Sequence, residues 1–78
     1  MNTTTSLQYV AEGQSVRVKQ LQSTGAIRRR LQEIGLVEGT KIKCLQKSPS
    51  GDPTAYLIRG AVIALRAEDC AKIIVETN

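Results

Sequence analysis

Residues 24–46 read TGAIRRRLQEIGLVEGTKIKCLQ, and the hydrophobic period changes in the middle of that stretch. Ile27, Leu31 and Ile34 recur at intervals of four and three, which places them on one stripe of a helix. Ser23 or Thr24 can cap its start by accepting from a free backbone N–H, and Gly35 can end it in the left-handed conformation, folding Leu36 back on Leu31. Past Gly39 the period becomes two, with Ile42 and Cys44 on one face and Lys41 and Lys43 on the other. The stretch therefore predicts a helix, Thr24 to Ile34, that leads into a strand from about Thr40 to Gln46.

Outward from this unit the chain alternates between strand patterns and turn formers. Before it, Val16 and Val18 face one way and Ser15, Arg17 and Lys19 the other, a strand over about Gln14 to Lys19 entered through a turn at Glu12-Gly13. After it, Ser48-Pro49-Ser50-Gly51-Asp52-Pro53 reads as a hairpin loop. Two strands follow, Thr54 to Ile58 and Ala61 to Leu65, with Gly60 at the tight turn between them. The run Ala61-Val62-Ile63-Ala64-Leu65 is apolar at every position, as a central strand covered on both sides would be. Arg66 to Ala71 suits a single helical turn, and Lys72 to Glu76 a last strand. The fold class predicted is mainly β: a small five-stranded barrel with one inserted α-helix and a short helical turn before the last strand. Residues 1–6, polar after Met1, are expected to be a flexible tail, and residues 7–78 a single domain.

Composition narrows what such a barrel can do. The chain has 78 residues, with no Phe or Trp and only Tyr9 and Tyr56 as aromatics, so its core must be built from Leu, Ile, Val and Ala. Eleven basic residues against seven acidic ones give a net charge of +4, which favours acidic protein faces, phosphates or anionic lipid as partners. No stretch approaches the roughly 18 to 20 apolar residues that span a bilayer, and the N-terminus has no signal-peptide pattern. A cytoplasmic protein without membrane insertion is expected. Cys44 and Cys70 have no His and no closely spaced Cys to complete a metal site, so they read as two small buried thiols.

Catalysis is not expected. With no His in the chain, acid–base work would fall to carboxylates, Lys, Tyr or Cys, and no spacing brings Glu33, Glu38, Glu68 or Asp69 together around a pocket. Neither a phosphate-binding loop nor a dinucleotide fingerprint is present. No cofactor and no metal site is predicted. The run Arg28-Arg29-Arg30 fans out around a helix, because successive residues point about 100° apart. It reads as a solvated face or as a docking surface for an acidic partner or phosphate. A small basic nucleic-acid-binding barrel is the alternative, but such modules stack bases on aromatic rings, and only Tyr9 and Tyr56 could serve.

From about Leu7 to Val75 the sequence resembles the FeoA (ferrous iron transport protein A) family. The resemblance is carried by Arg30-Leu31, a short gap and the Gly35-Leu36 turn running to Gly39; by Gly51-Asp52-Pro53 in the hairpin loop; and by Gly60 to Arg66, followed by Asp69 and the Ile73-Ile74-Val75 strand. Glu38 stands where the family commonly has Pro. The resemblance implies an SH3-like barrel acting as a non-enzymatic cytoplasmic accessory to FeoB, the membrane ferrous-iron transporter with a GTP-binding cytoplasmic part. Similar domains form the C-terminal modules of metal-dependent repressors. On this reading the docking candidates are Arg28, Arg29, Arg30, Arg59 and Arg66, with Leu36 and Val37 as apolar contacts at the helix exit. Arg66 has a second reading, bonding backbone carbonyls. Gly35, Gly39, Gly51 and Gly60 serve turns, Asp52 and Pro53 set the hairpin, and Leu31 belongs to the helix motif.

Overall fold

The computed structural model describes residues 3–77, which form one antiparallel sheet, two α-helices and a short 3-10 helix (Leu7–Tyr9). The strands are β1 (Thr3–Ser6), β2 (Ser15–Leu21), β3 (Lys41–Lys47), β4 (Thr54–Ile58), β5 (Ala61–Leu65) and β6 (Ile73–Thr77), with α1 (Gly25–Glu33) between β2 and β3 and α2 (Ala67–Cys70) between β5 and β6. Their order in the sheet is β1-β6-β2-β3-β4-β5. Alternation along the strands puts Val16, Val18, Ile42, Cys44, Tyr56, Ile58, Ile73 and Val75 into a single core with Leu7, Leu31 and Leu36. Removing a side chain such as Leu31 from a core of this kind costs about 2–5 kcal/mol.

The mainly β architecture with one inserted helix and a helical turn is as expected, and the bounds of β4 and β5 are those read from the sequence. Three features differ. There are six strands and not five, because Thr3–Ser6, expected to belong to a flexible tail, pairs with β6 through Thr3↔Thr77 to Ser6↔Ile74. Met1 and Asn2, the rest of that expected tail, lie outside the described residues. The apolar run Ala61–Leu65 is an edge strand and not a central one: among the described residues it pairs only with β4, and Val62 is 67% exposed. The helical stripe is also narrower than its period suggests, since Leu31 is buried and Ile34 half-buried while Ile27 is exposed.

The helix ends as its Gly35 dictates. The Gly35 N–H donates to Gln32 O and the Leu36 N–H to Leu31 O, at 3.0 Å each, with Gly35 at φ 103°, the pair of reversed bonds that closes a Schellman stop. Leu36 is thereby drawn fully into the core. At the other end Thr24 is the N-cap without a side-chain bond, and the neighbouring Ser23 hydroxyl is buried with no partner among the described residues.

Among the described residues, the one polar contact between the core's thiols and phenol is long, Cys70 Sγ donating to Tyr56 Oη at 3.5 Å. Burial pushes both cysteine thiols above their ordinary value of 9.0 and the Tyr56 phenol well above 10.0. In the folded chain these groups hold their protons more tightly than in the unfolded chain. Their contribution to stability is thus complete below about pH 9 and is lost as pH climbs through the raised folded values. Urea midpoints measured from neutral pH to about pH 11 should stay level and then fall above about pH 9. In a Cys44→Ala/Cys70→Ala variant the fall should begin about one unit later, when Tyr56 alone remains; an identical alkaline limb in both proteins contradicts this assignment.

Candidate docking surface

The outward-facing positions of the sheet carry its charge. Register aligns Ser15 with Lys43 and Lys43 with Leu57, and Leu57 in turn with Val62, so one row runs across four strands on the solvent side. Arg17 and Lys41 form the next row. Lys41, Lys43, Leu57 and Arg59, with Ser15, Gly39 and Gly60, line an open groove of about 690 Å³. The groove also contains Glu38. None of Lys41, Lys43 and Arg59 is in an ion pair among the described residues. A half-exposed apolar floor at Leu57 edged by three cations matches an acidic protein surface carrying an apolar contact.

Arg59 reaches this groove through an uncommon backbone. It and Gly60 form the two-residue loop between β4 and β5, with φ of 51° and 85°, the left-handed pair required by a type I′ hairpin turn. A left-handed conformation costs an ordinary residue about 1–2 kcal/mol. The Arg59 stem then lies directly over Gly35, where an added Cβ would collide with Arg59 Cδ and stand 3.3 Å from Cγ.

The other sequence candidates are scattered. Arg28 donates to Leu21 O at 2.7 Å, tying α1 to the end of β2, and Arg30 meets Asp69 Oδ2 at 3.5 Å. Arg29 is exposed on the same helix. Arg66 pairs with Glu68 at 3.4 Å, both largely exposed, a contact worth little. That pair is the one polar contact of the Arg66 side chain among the described residues, and it stands in place of the carbonyl bonds expected of its second role. Leu36 cannot be an apolar contact for a partner, because the helix stop buries it completely, whereas Val37 is 44% exposed. Arg28 and Val37 line a separate groove between α1 and β2. Of the candidates, only Arg59 enters the charged groove.

Lys41, Lys43, Leu57 and Val62 are not among the sequence candidates. The two lysines are visible in the sequence as the polar half of the β3 alternation, and Leu57 as an apolar residue on the wrong parity of β4. Asp52 also has a role beyond its hairpin: its Oδ1 accepts from the Ala67 N–H at 2.9 Å, capping α2. The Asp52–Pro53 peptide is cis.

The class defined by this topology and surface is a small SH3-like β barrel with a charged outer face. The chain belongs to the FeoA family: the FeoA domain matches residues 5–77. A curated relative, the Fe(2+) transport protein A/Fe(2+) transporter FeoB fusion protein of Porphyromonas gingivalis, is 38% identical over 64 residues, covering 82% of this chain. The chain spans only 8% of that relative's length. The solution structure of a FeoA-like protein from Clostridium acetobutylicum superposes with a TM-score of 0.89 at 32% identity, covering 99% of this chain and 90% of that one. A zinc complex of Stenotrophomonas maltophilia FeoA, described as a prokaryotic SH3 domain protein, gives 0.80 at 28% identity, covering 90% and 87%. In the present chain no group of three or more Cys, Asp or Glu is placed to hold a metal among the described residues.

The Gly35–Arg59 contact is testable by a double-mutant cycle. Gly35→Ala should cost about 1–3 kcal/mol in urea unfolding, since φ 103° is strained for alanine. The same substitution should cost less in an Arg59→Gly background, where the collision is gone. Equal costs in the two backgrounds would show the crossing to be energetically idle.

Proposed function

We propose that this chain is a non-enzymatic accessory of ferrous iron uptake that docks on the cytoplasmic, GTP-binding part of a FeoB-type transporter. The reading is carried by the P. gingivalis relative, in which a FeoA part and a FeoB transporter are joined in one polypeptide. Two sequences fused in one chain work at a shared location, and counterparts that are not fused must reach the same place by binding. The groove offers a surface suited to such binding, because Lys41, Lys43 and Arg59 stand around Leu57 without internal ion-pair partners among the described residues. No helix of the described residues is long and apolar enough to cross a membrane. On this reading the transporter supplies the span and the present chain remains on its cytoplasmic side.

Nucleic acid fits the surface less well. Tyr56 is 1% exposed, and Tyr9, the exposed aromatic, does not line the charged groove. Bases would find no stacking platform beside the cations.

Calorimetric titration of the purified chain against the soluble GTP-binding part of the transporter, with GDP and with a GTP analogue, tests the reading. Association is expected, and it should weaken as salt rises. Lys41→Glu/Lys43→Glu should reduce the affinity by about tenfold or more, mainly through slower association. Absence of binding in both nucleotide states and to the full transporter would refute it.

A further inference from the structure

The two ends of the sheet are unequal. β1 is four polar residues, Thr-Thr-Thr-Ser, whereas β5 is Ala-Val-Ile-Ala-Leu, with no charge and no proline. Its pairing with β4 runs through five consecutive residues without a register shift, so no bulge bends it away. Edge strands of soluble proteins are ordinarily shielded by charge, proline, bulges or a covering segment, and β5 has none of the first three. Among the described residues it pairs with no strand but β4.

The hairpin turn determines which backbone groups face outward. A two-residue type I′ loop is flanked by a hydrogen-bonded pair, here Ile58↔Ala61, and hydrogen-bonded and non-hydrogen-bonded pairs then alternate. Ala61, Ile63 and Leu65 therefore spend their N–H and C=O groups on β4. Val62 and Ala64 point theirs toward the free edge. Both are exposed, and neither takes part in the turn, loop or cap bonds of the described residues. Two donors and two acceptors at alternate residues are what an added antiparallel strand requires.

We propose that β5 takes an extended acidic segment of the partner as a seventh strand, paired through the backbone of Val62 and Ala64. The inference rests on the docking reading above and names how that docking is made. Charge selects the occupant. Arg59, in no ion pair among the described residues, precedes β5, Arg66, paired with Glu68, follows it, and Val62 continues the row that holds Lys43 and Leu57, so a strand laid along this edge lies beside the cationic groove. A second copy of this chain, with its net charge of +4, would bring like charge to the same place. An acidic segment with an apolar residue set beside Val62 relieves that charge and covers the apolar edge at once.

Amide exchange and one substitution test this on the intact chain. On addition of the transporter's GTP-binding part, the Val62 and Ala64 amides should become protected by about tenfold or more, while those of Ala61, Ile63 and Leu65, already bonded, change little. Ala64→Pro deletes an outward N–H at a position where an edge strand tolerates proline, and it should weaken binding by about tenfold or more with the amide spectrum of the barrel retained. Binding that persists with Val62 and Ala64 still exchanging freely overturns the strand addition and leaves the docking reading standing. No binding by the unaltered chain overturns both. Sedimentation showing that the chain alone pairs through β5, with the pairing lost in Ala64→Pro, assigns the edge to a second copy and overturns the acidic occupant.

Discussion

The missing side chain of Gly35 is the point on which the two halves of this barrel meet. Its φ of 103° lets α1 stop and turn, and its bare Cα lets the stem of Arg59 cross above it. The stop sends Leu36 into the core. The crossing ties the exit of α1 to the β4–β5 turn, nearly a third of the chain away in sequence. Thr40 reinforces the same corner, its hydroxyl donating to Gly35 O at 2.8 Å while Gly39 N–H donates to Val18 O at 2.7 Å. Any residue larger than glycine at position 35 would have to displace Arg59, so the helix stop and the placement of a groove cation are one structural decision.

Strand alternation then separates reactive groups from exposed charge. Inward positions receive Cys44 and Tyr56, cross-strand partners, with Cys70 from α2 against the phenol, and burial keeps all three protonated. A thiol held as S–H in an apolar core is neither a good nucleophile nor a metal ligand. Outward positions receive Arg17, Lys41 and Lys43. The sheet thus keeps its thiols and the Tyr56 phenol inside and its strand cations outside.

Much of the fold is legible in the sequence because its signals are local. The helix-to-strand switch within residues 24–46 announces itself by a change of period and a glycine at the stop, and Gly60 marks a hairpin whose two strands begin and end where their residues suggest. What is not legible depends on which strands become neighbours. Thr3–Ser6 gives no inward apolar face, and its strand exists because β6, some seventy residues on, offers an edge. Ala61–Leu65 looks like a central strand because an apolar run reports composition and not position in a sheet. The sequence offers Leu36 both as a contact folding onto Leu31 and as a contact for a partner; the Schellman stop permits only the first.

The site is harder to read than the fold, and the arginine run explains why. Adjacent charges in a sequence attract attention, but a helix disperses neighbours and a sheet gathers alternates. Arg28 spends a guanidinium nitrogen on Leu21 O, and Arg30 faces Asp69, itself 9% exposed at its side chain, so two of the three consecutive arginines brace α1 against the sheet and against α2. Lys41 and Lys43, separated by the buried Ile42, emerge side by side and are joined by Arg59 from the next turn. The densest run of charge along the chain thus includes two residues that tie α1 to its neighbours. The cations left free in the groove are those that strand pairing, and not sequence adjacency, brought into one place.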